Sequence, residues 1–200
     1  PEDNTEGKEK VLIPIANPDN IEDLVNLALV LRDNRYRDGL VALNVVSDSS
    51  PGTSEEMGRR YLEKAAMIAS AADVRADRVC RYDINITSGI VHTIKEHGVT
   101  TVVIGLHEKA GMLDSFFGSL TSSLLRGTYR EVIVARLMMP VNTLKGILAV
   151  VPPMAEYEVG FSRWLTHLCR MSSQSGCSLK FRADVHTAEC LRSAIDNIAP

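Results

Sequence analysis

Short apolar runs alternate along this chain with longer amphipathic segments, and this alternation restricts the fold more than any other feature. Apolar runs of strand length that are rich in β-branched residues are typical of strands buried on both faces. The five runs are Val11–Ala16, Gly39–Val46, Val79–Tyr82, Thr101–Ile104 and Glu131–Ala135. The order βαβαβαβαβ predicts an α/β fold with an open parallel five-stranded sheet and helices on both faces, because each helix must return the chain to the same edge.

Apolar spacing defines the helices between these strands. The first is predicted to begin at Ile21, and the third to begin near Ile86 and end at Gly98, since glycine is common just past helix C-termini. A fourth is expected from about Ser119 to Arg126. The second is predicted to bury one face, formed by Met57, Tyr61, Ala65, Ile68, Ala69 and Ala72.

Composition narrows the function classes. A formal net charge of −3 with scattered Lys and Arg predicts no nucleic-acid partner. The four cysteines form no CxxC pair, so we expect reduced thiols, no metal site and a cytoplasmic location. The sequence contains no apolar run of about 18 residues, the length that spans a bilayer. No nucleophile elbow surrounds Ser122 and Ser123, and no Walker lysine follows the Gly105–Gly111 stretch, so no catalytic residue is predicted.

A second, incomplete copy of the fold follows the first. Val11 lies 136 positions before Ile147, and Asp48 lies 136 positions before Asp184, so strand, helix and strand repeat at one offset. Chance similarity between amphipathic elements remains the alternative. The predicted organisation is a polar linker over 1–10, a complete domain over 11–138 and a partial repeat over 144–200. Because two strands rarely stand alone, the repeat is expected to dock on the first domain, on another chain or on residues outside this sequence.

A glycine-containing stretch, Gly105–Ser119, follows the fourth strand. Ligands of parallel sheets bind at the carboxyl ends of the strands, where the loops after Ile15 and Ile104 are expected to lie. Backbone N–H groups that open a helix bind anions, and glycine lets the backbone approach the anion closely. The stretch therefore fits a phosphate site. The alternative is that Gly118 and Ser119 only shape and cap a helix.

These features together resemble the universal stress protein family. Nucleotide-binding members carry Gly-x-x-Gly-x9-Gly-[Ser/Thr], in which backbone and hydroxyl groups hold ATP phosphates. Gly105 matches the first glycine, Gly118 the third and Ser119 the hydroxyl position, while Gly111 matches another glycine common in such loops. The resemblance covers residues 10–136 well and residues 144–199 weakly. It implies ATP or AMP with Mg²⁺ as the ligand, although no cofactor is required by the sequence.

Two positions depart from this pattern. Glu108 replaces the second glycine, and a carboxylate about 4 Å from a phosphate charge costs ~4 kcal/mol at an effective dielectric near 20, which Lys109 or Mg²⁺ would offset. The aspartate usual after the first strand is absent, because the chain reads Ala16-Asn17-Pro18 there. Anion binding is thus favoured over full ATP binding. The predicted nucleotide-site residues are Asn17, Gly105, His107, Lys109, Gly111, Gly118 and Ser119.

His107 has two interpretations. It contacts phosphate or senses pH in one, and it is an exposed loop histidine in the other. His167 and His186 are predicted to have no companion side chains, and His92 and His97, five residues apart, are not expected to share a helix face for metal binding.

The opening Val-Leu-Ile-Pro-Ile-Ala-Asn-Pro is also similar to the openings of cytoplasmic tail domains of bacterial cation/proton antiporters. This resemblance implies a non-enzymatic regulatory module, the soluble C-terminal tail of a Na⁺/H⁺-type antiporter, attached to a membrane domain. We expect a homodimer, with the edge strand around Val132–Val134 as a surface for pairing between subunits. Alternatives are an ATP-binding universal stress protein with at most slow hydrolysis, and a purely structural dimerisation module.

Overall fold

The computed structural model describes residues 9–47, 55–106 and 113–198. The chain divides into two compact units, Pro1–Met138 and Met139–Pro200, called unit 1 and unit 2 below. Within the described ranges, no helix combines the length and the apolar character needed to cross a bilayer.

Unit 1 contains a five-stranded sheet with helices between its strands. All paired strands run parallel, and their order in the sheet, numbered along the chain, is β3-β2-β1-β4-β5. This arrangement confirms the predicted fold class. Its elements are β1 Val11–Pro14, α1 Ile21–Leu31, β2 Leu40–Val46, α2 Glu55–Ala71, β3 Ala76–Tyr82, α3 Ile86–His97, β4 Thr101–Gly105, α4 Leu113–Gly127 and β5 Glu131–Ala135.

The centre of this sheet is fully enclosed. Val11, Leu12 and Ile13 of β1 have no exposed surface, which explains why the strand reads as a continuous apolar run rather than an alternating one. Leu24 and Leu31 of α1 are buried as the helical spacing predicts. The first and third helices begin where predicted, and α3 ends as expected at Gly98, which adopts a left-handed conformation with φ of +63°.

The buried face of α2 is rotated by about one residue from the predicted one, which is correct at Ala65 and Ala69 and wrong at Met57 and Ala72. Met57 and Ala72 are exposed, and the buried stripe consists of Gly58, Leu62, Ala65 and Ala69. Gly58 explains the rotation, because its missing side chain lets α2 approach β2 closely at Asn44. Tyr61 and Ile68 are half-buried beside this stripe. A pattern that counts apolar residues but not glycine therefore predicts a buried face that is rotated from the observed one.

Unit 2 contains a two-stranded parallel sheet, β6 Gly146–Val150 and β7 Ser178–Arg182, with two helices, α5 Phe161–Ser175 and α6 Val185–Ile198. Leu165 and Leu191 from these helices lie in one apolar cluster with Ala149 and Phe181 of the strands. On the other side of β6, Leu148 and Val150 are 65% and 71% exposed. The duplication and the surface on which this unit docks stay predictions.

Candidate functional site at the carboxyl edge of unit 1

The carboxyl ends of β1 and β4 define the crevice where a parallel sheet of this order binds ligands. The chain leaves β1 toward β2 on one side, and β4 pairs with β1 on the other, so strand order reverses between them. The segments that follow these two strands include Asn17, the 3-10 helix Pro18–Asn20 and Gly105.

Asn17 serves as the cap of the 3-10 helix that follows β1. Its Oδ1 accepts a 3.0 Å hydrogen bond from the backbone N–H of Asp19, and Pro18 occupies a first-turn position where no N–H donor is needed. The Asn17 amide, which is predicted to contact a nucleotide, thus already has a local structural role. Ala16, beside it, is exposed and offers no side-chain hydrogen bond.

Asn44 joins the ends of β1 and β2 beneath this edge. Its Nδ2 donates a 2.8 Å hydrogen bond to the carbonyl oxygen of Ile15, and both residues are buried. The Asn44 Oδ1 atom is also buried, and it has no hydrogen-bond partner among the described residues. A Cβ on Gly58 would lie 2.2 Å from that oxygen, so glycine is required where α2 crosses Asn44.

Gly105 allows α1 to approach the end of β4. A Cβ at this position would lie 2.9 Å from both Asn20 Nδ2 and Leu24 Cδ1. The Asn20 Oδ1 atom is buried and, within the described ranges, accepts no hydrogen bond. Directly after Gly105, the Leu106 N–H donates to the carbonyl of Ala135 at 2.7 Å, which extends the pairing of β4 with β5.

The remaining predicted site residues are placed only in part. His107, Lys109 and Gly111, and also Glu108, lie outside the described residues. Gly118 and Ser119 lie within α4, which begins at Leu113, so the predicted helix start at Ser119 is wrong. Only the first four N–H groups of a helix lack an intrahelical partner, and both residues come later than these. Their role in binding a nucleotide stays a prediction.

Polar side chains also meet where β3 ends. His92 Nδ1 lies 2.7 Å from Asp83 Oδ2, and the Ile84 N–H donates to Asp83 Oδ1 at 2.9 Å. The hydrogen bond from His92 is the main reason that the pKa of Asp83 lies below its ordinary value. Nearby, the Tyr82 hydroxyl donates to Glu55, which lowers the pKa of the Glu55 carboxyl and raises that of the tyrosine. These contacts connect the start of α2 and the middle of α3 to the end of β3.

Sequence reasoning missed Asn20, Asn44 and Gly58 at this edge. Asn44 carried a signal, because a single amide within the apolar run Leu40–Val46 must find a hydrogen-bond partner when buried. The prediction for His186 is wrong as well, since its Nε2 lies 3.4 Å from Glu156 Oε1 in unit 2.

Comparison with known proteins gives a consistent family. The family model described as "Universal stress protein family" matches residues 8–136. Curated protein sequences show no match to the chain.

Among solved structures, the cytoplasmic domain of a prokaryotic cation chloride cotransporter is similar over 96% of this chain and 74% of its own, with 12% identity and a TM-score of 0.62. A universal stress protein from Archaeoglobus fulgidus is similar over 64% of this chain and 98% of its own, with 15% identity and a TM-score of 0.51. A universal stress protein in complex with cAMP covers 66% of this chain and 98% of its own, at 12% identity and a TM-score of 0.48. At these identities the structural similarity shows the fold, and the match of the family model over most of unit 1 shows that the chain belongs to the universal stress protein family.

Proposed function

We propose that this chain is the cytoplasmic regulatory region of a membrane cation transporter. The observation that carries the proposal is the extent of similarity to the cotransporter cytoplasmic domain, which includes 96% of the chain and therefore both units. The Archaeoglobus fulgidus protein, in contrast, is similar over 64% of the chain. The similarity to the cotransporter domain thus extends beyond unit 1 into unit 2.

The crevice between the ends of β1 and β4 suits the binding of a regulatory ligand. Its described side chains include three amides, Asn17, Asn20 and Asn44, beside Gly105. Amides donate and accept hydrogen bonds but do not exchange protons near neutral pH, so they suit binding better than acid–base chemistry. A ligand or a change in subunit contacts would then stabilise one arrangement of the region and bias the attached membrane domain.

The type of transporter, and with it the transported ion, is the more specific part of the proposal. Resemblance of the opening residues to antiporter tails favours a cation/proton exchanger of the Na⁺/H⁺ type, whereas the similar structure belongs to a cation chloride cotransporter. Both are secondary transporters of cations. We therefore propose that the attached membrane domain is a secondary cation transporter and, more specifically, a Na⁺/H⁺-type antiporter.

Two experiments test this proposal: the first examines the natural coding sequence, and the second measures transport by the protein it encodes. We expect the coding sequence upstream of Pro1 to contain a series of apolar segments, each about 20 residues long. In proteoliposomes, the full-length protein and a version ending before Val11 should both transport cations, but their flux should respond differently to pH or ligand. An upstream region without apolar segments contradicts the proposal, as does identical regulation of the two proteins.

Subunit association is part of the proposed mechanism, and β5 offers a surface for it. This strand lies at the edge of the sheet and, within the described ranges, pairs with β4 alone, so a second copy could add to it on the other side. Val134 on β5 is exposed, as are Tyr129 before it and Met138 after it. We propose a homodimer that pairs along β5. A purely structural dimerisation module would use the same surface without responding to any ligand.

A second candidate function is adenine-nucleotide binding at the carboxyl edge. The observation that favours it is the buried amide oxygen Asn20 Oδ1, which lacks a hydrogen-bond partner among the described residues and lies beside Gly105. Buried acceptors of this kind are stabilised by donors such as ribose hydroxyl or adenine amino groups.

Calorimetric titration with ATP and Mg²⁺ tests nucleotide binding. Saturable heat that Asn20→Ala weakens and Gly118→Val abolishes would support it, provided that both variants keep the circular dichroism spectrum of the wild type. Absence of heat at millimolar ATP would contradict it. The same titration with AMP distinguishes phosphate recognition from nucleoside recognition.

A further inference from the structure

We infer that unit 2 carries a divalent transition-metal site formed by Glu156, His186 and Cys190. Glu156 lies in the 3-10 helix Ala155–Tyr157, which follows β6, while His186 and Cys190 lie on α6, which follows β7. Since β6 and β7 are adjacent and parallel, the segments after them meet at one carboxyl edge. The site is independent of the proposed transporter function.

The three side chains are close enough to bind one ion. One ligand atom from each lies within 4.8 Å of the other two. His186 Nε2 and Glu156 Oε1 are 3.4 Å apart, and two ligands at the usual zinc distances of about 2.0–2.1 Å are separated by about 3.3 Å in a tetrahedral site. Cys190 is four residues after His186, which places both on one face of α6.

One oxygen of the Glu156 carboxylate is buried and accepts no hydrogen bond from the described residues. Its side chain is only 7% exposed, and its Oε1 atom is buried without a hydrogen bond from any described residue. Its other oxygen, Oε2, accepts a 2.8 Å hydrogen bond from the Thr187 hydroxyl. A buried carboxylate oxygen without a donor is unfavourable, and a bound cation would compensate it.

Hydrogen bonds around Thr187 hold this carboxylate in place. Thr187 has no exposed surface, its N–H donates to Asp184 Oδ1 at 3.1 Å, and its hydroxyl oxygen accepts from the Met154 N–H at 3.3 Å. The segment after β6 and the start of α6 are therefore connected through one side chain. Supporting contacts of this kind orient ligands in metal sites, and their loss typically lowers metal affinity 10–100-fold.

The donor set indicates the class of metal. One carboxylate oxygen, one imidazole nitrogen and one thiolate sulfur suit Zn²⁺ or Co²⁺, whereas Ca²⁺ and Mg²⁺ prefer oxygen ligands alone. Three protein ligands leave a fourth position for water. His186 is 64% exposed, so an ion reaches the site from solvent. The Tyr157 hydroxyl lies 3.5 Å from His186 Nε2 on the same edge.

Titration of the 200-residue chain with Co²⁺, followed by competition with Zn²⁺, tests the site. We expect one equivalent to bind with the thiolate-to-cobalt charge-transfer absorption that only a cysteine ligand produces. Cys190→Ser should remove this band, while Glu156→Gln and His186→Gln should each weaken binding by about 10-fold or more. Zn²⁺ should displace Co²⁺ and bleach the absorption.

Matched variants keep the result interpretable. Cys80→Ser removes another half-buried thiol, in unit 1, and should leave the band unchanged. Because His186 is exposed, His186→Gln is not expected to unfold unit 2, and the fluorescence of Trp164, the only tryptophan, checks this. A band that survives Cys190→Ser, a band lost in Cys80→Ser, or no band at all overturns the proposal.

Discussion

The side-chain amide of Asn44 donates a 2.8 Å hydrogen bond to the carbonyl oxygen of Ile15, and so joins β2 to the chain as it leaves β1. Both residues are buried, and α2 covers the amide at Gly58. Three elements that define the ligand edge of unit 1 therefore depend on one side chain. The relationship makes specific predictions for stability.

Replacement of Asn44 by alanine should lower the free energy of unfolding of unit 1 by about 1–3 kcal/mol, because the buried Ile15 carbonyl loses its donor. Gly58→Ala should also destabilise, since the new Cβ would lie 2.2 Å from Asn44 Oδ1. In the double variant this clash is removed, and alanine is the better helix former by about 1 kcal/mol.

Urea unfolding of the four proteins, followed by far-UV circular dichroism, measures this coupling. The second substitution should cost much less in the Asn44→Ala background than in the wild type. Trp164 fluorescence follows the unfolding of unit 2 in the same samples. Strictly additive effects would show that Gly58 and Asn44 do not depend on each other.

Gly105 tests whether a residue assigned to nucleotide binding is first a packing requirement. Gly105→Ala places a Cβ 2.9 Å from Leu24 and Asn20, so we expect a loss of about 1–3 kcal/mol in the free energy of unfolding even without nucleotide. Gly160→Ala is the matched control, because no atom lies within 4 Å of its added Cβ and its φ is −82°. Equal thermal stability of the two variants would contradict the packing role.

Several elements of this fold were predictable because a single physical signal fixed each of them. The buried runs of β1 and β4 follow from strands enclosed on both faces, and Gly98 marked the end of α3 correctly. The face of α2 was only partly predictable from apolar spacing, because the helix packs on Asn44 of β2 at a glycine, Gly58. Spacing rules give no weight to a residue that packs by lacking a side chain.

The candidate sites show the same limit. Asn17 and Gly105 were identified by comparison with the family pattern at the ends of two strands, but the amides Asn20 and Asn44 were found only through their burial. Glu156 lies 30 residues before His186, so no spacing rule relates them, and only the pairing of β6 with β7 brings them together. The His186–Cys190 separation of one helical turn was the available signal.

The Asp83–His92 pair predicts a dependence of stability on acid pH. The pKa of the Asp83 carboxyl is lower in the folded protein than its ordinary value of 3.8, chiefly because of the hydrogen bond from His92. The stabilisation is therefore present above pH 3.8 and is lost as the pH falls through the folded pKa. His92→Ala should raise the pKa of Asp83 and shift the acid-unfolding midpoint to higher pH.

Circular dichroism as a function of pH measures that midpoint, and NMR titration of the Asp83 carboxyl measures the pKa directly. The effect should be modest, because the imidazole is largely exposed. In an Asp83→Asn background, His92→Ala should no longer move the midpoint. A shift of equal size in both backgrounds would show that the histidine acts through another group.

The edge strand β5 gives a prediction for the proposed homodimer. Val134 is exposed on β5, whose described backbone pairs only with β4, and a lysine there places a charge where a second β5 would approach. Val134→Lys should weaken association at least 10-fold if subunits pair along this strand.

Sedimentation equilibrium of the wild type and the variant measures the dissociation constant. Val159→Lys, at an exposed valine outside any strand, controls for the added charge and should associate like the wild type. A wild-type monomer would contradict the proposed homodimer. A dimer unaffected by Val134→Lys would place the interface elsewhere, and the exposed Leu148 and Val150 of β6 would then be the next positions to substitute.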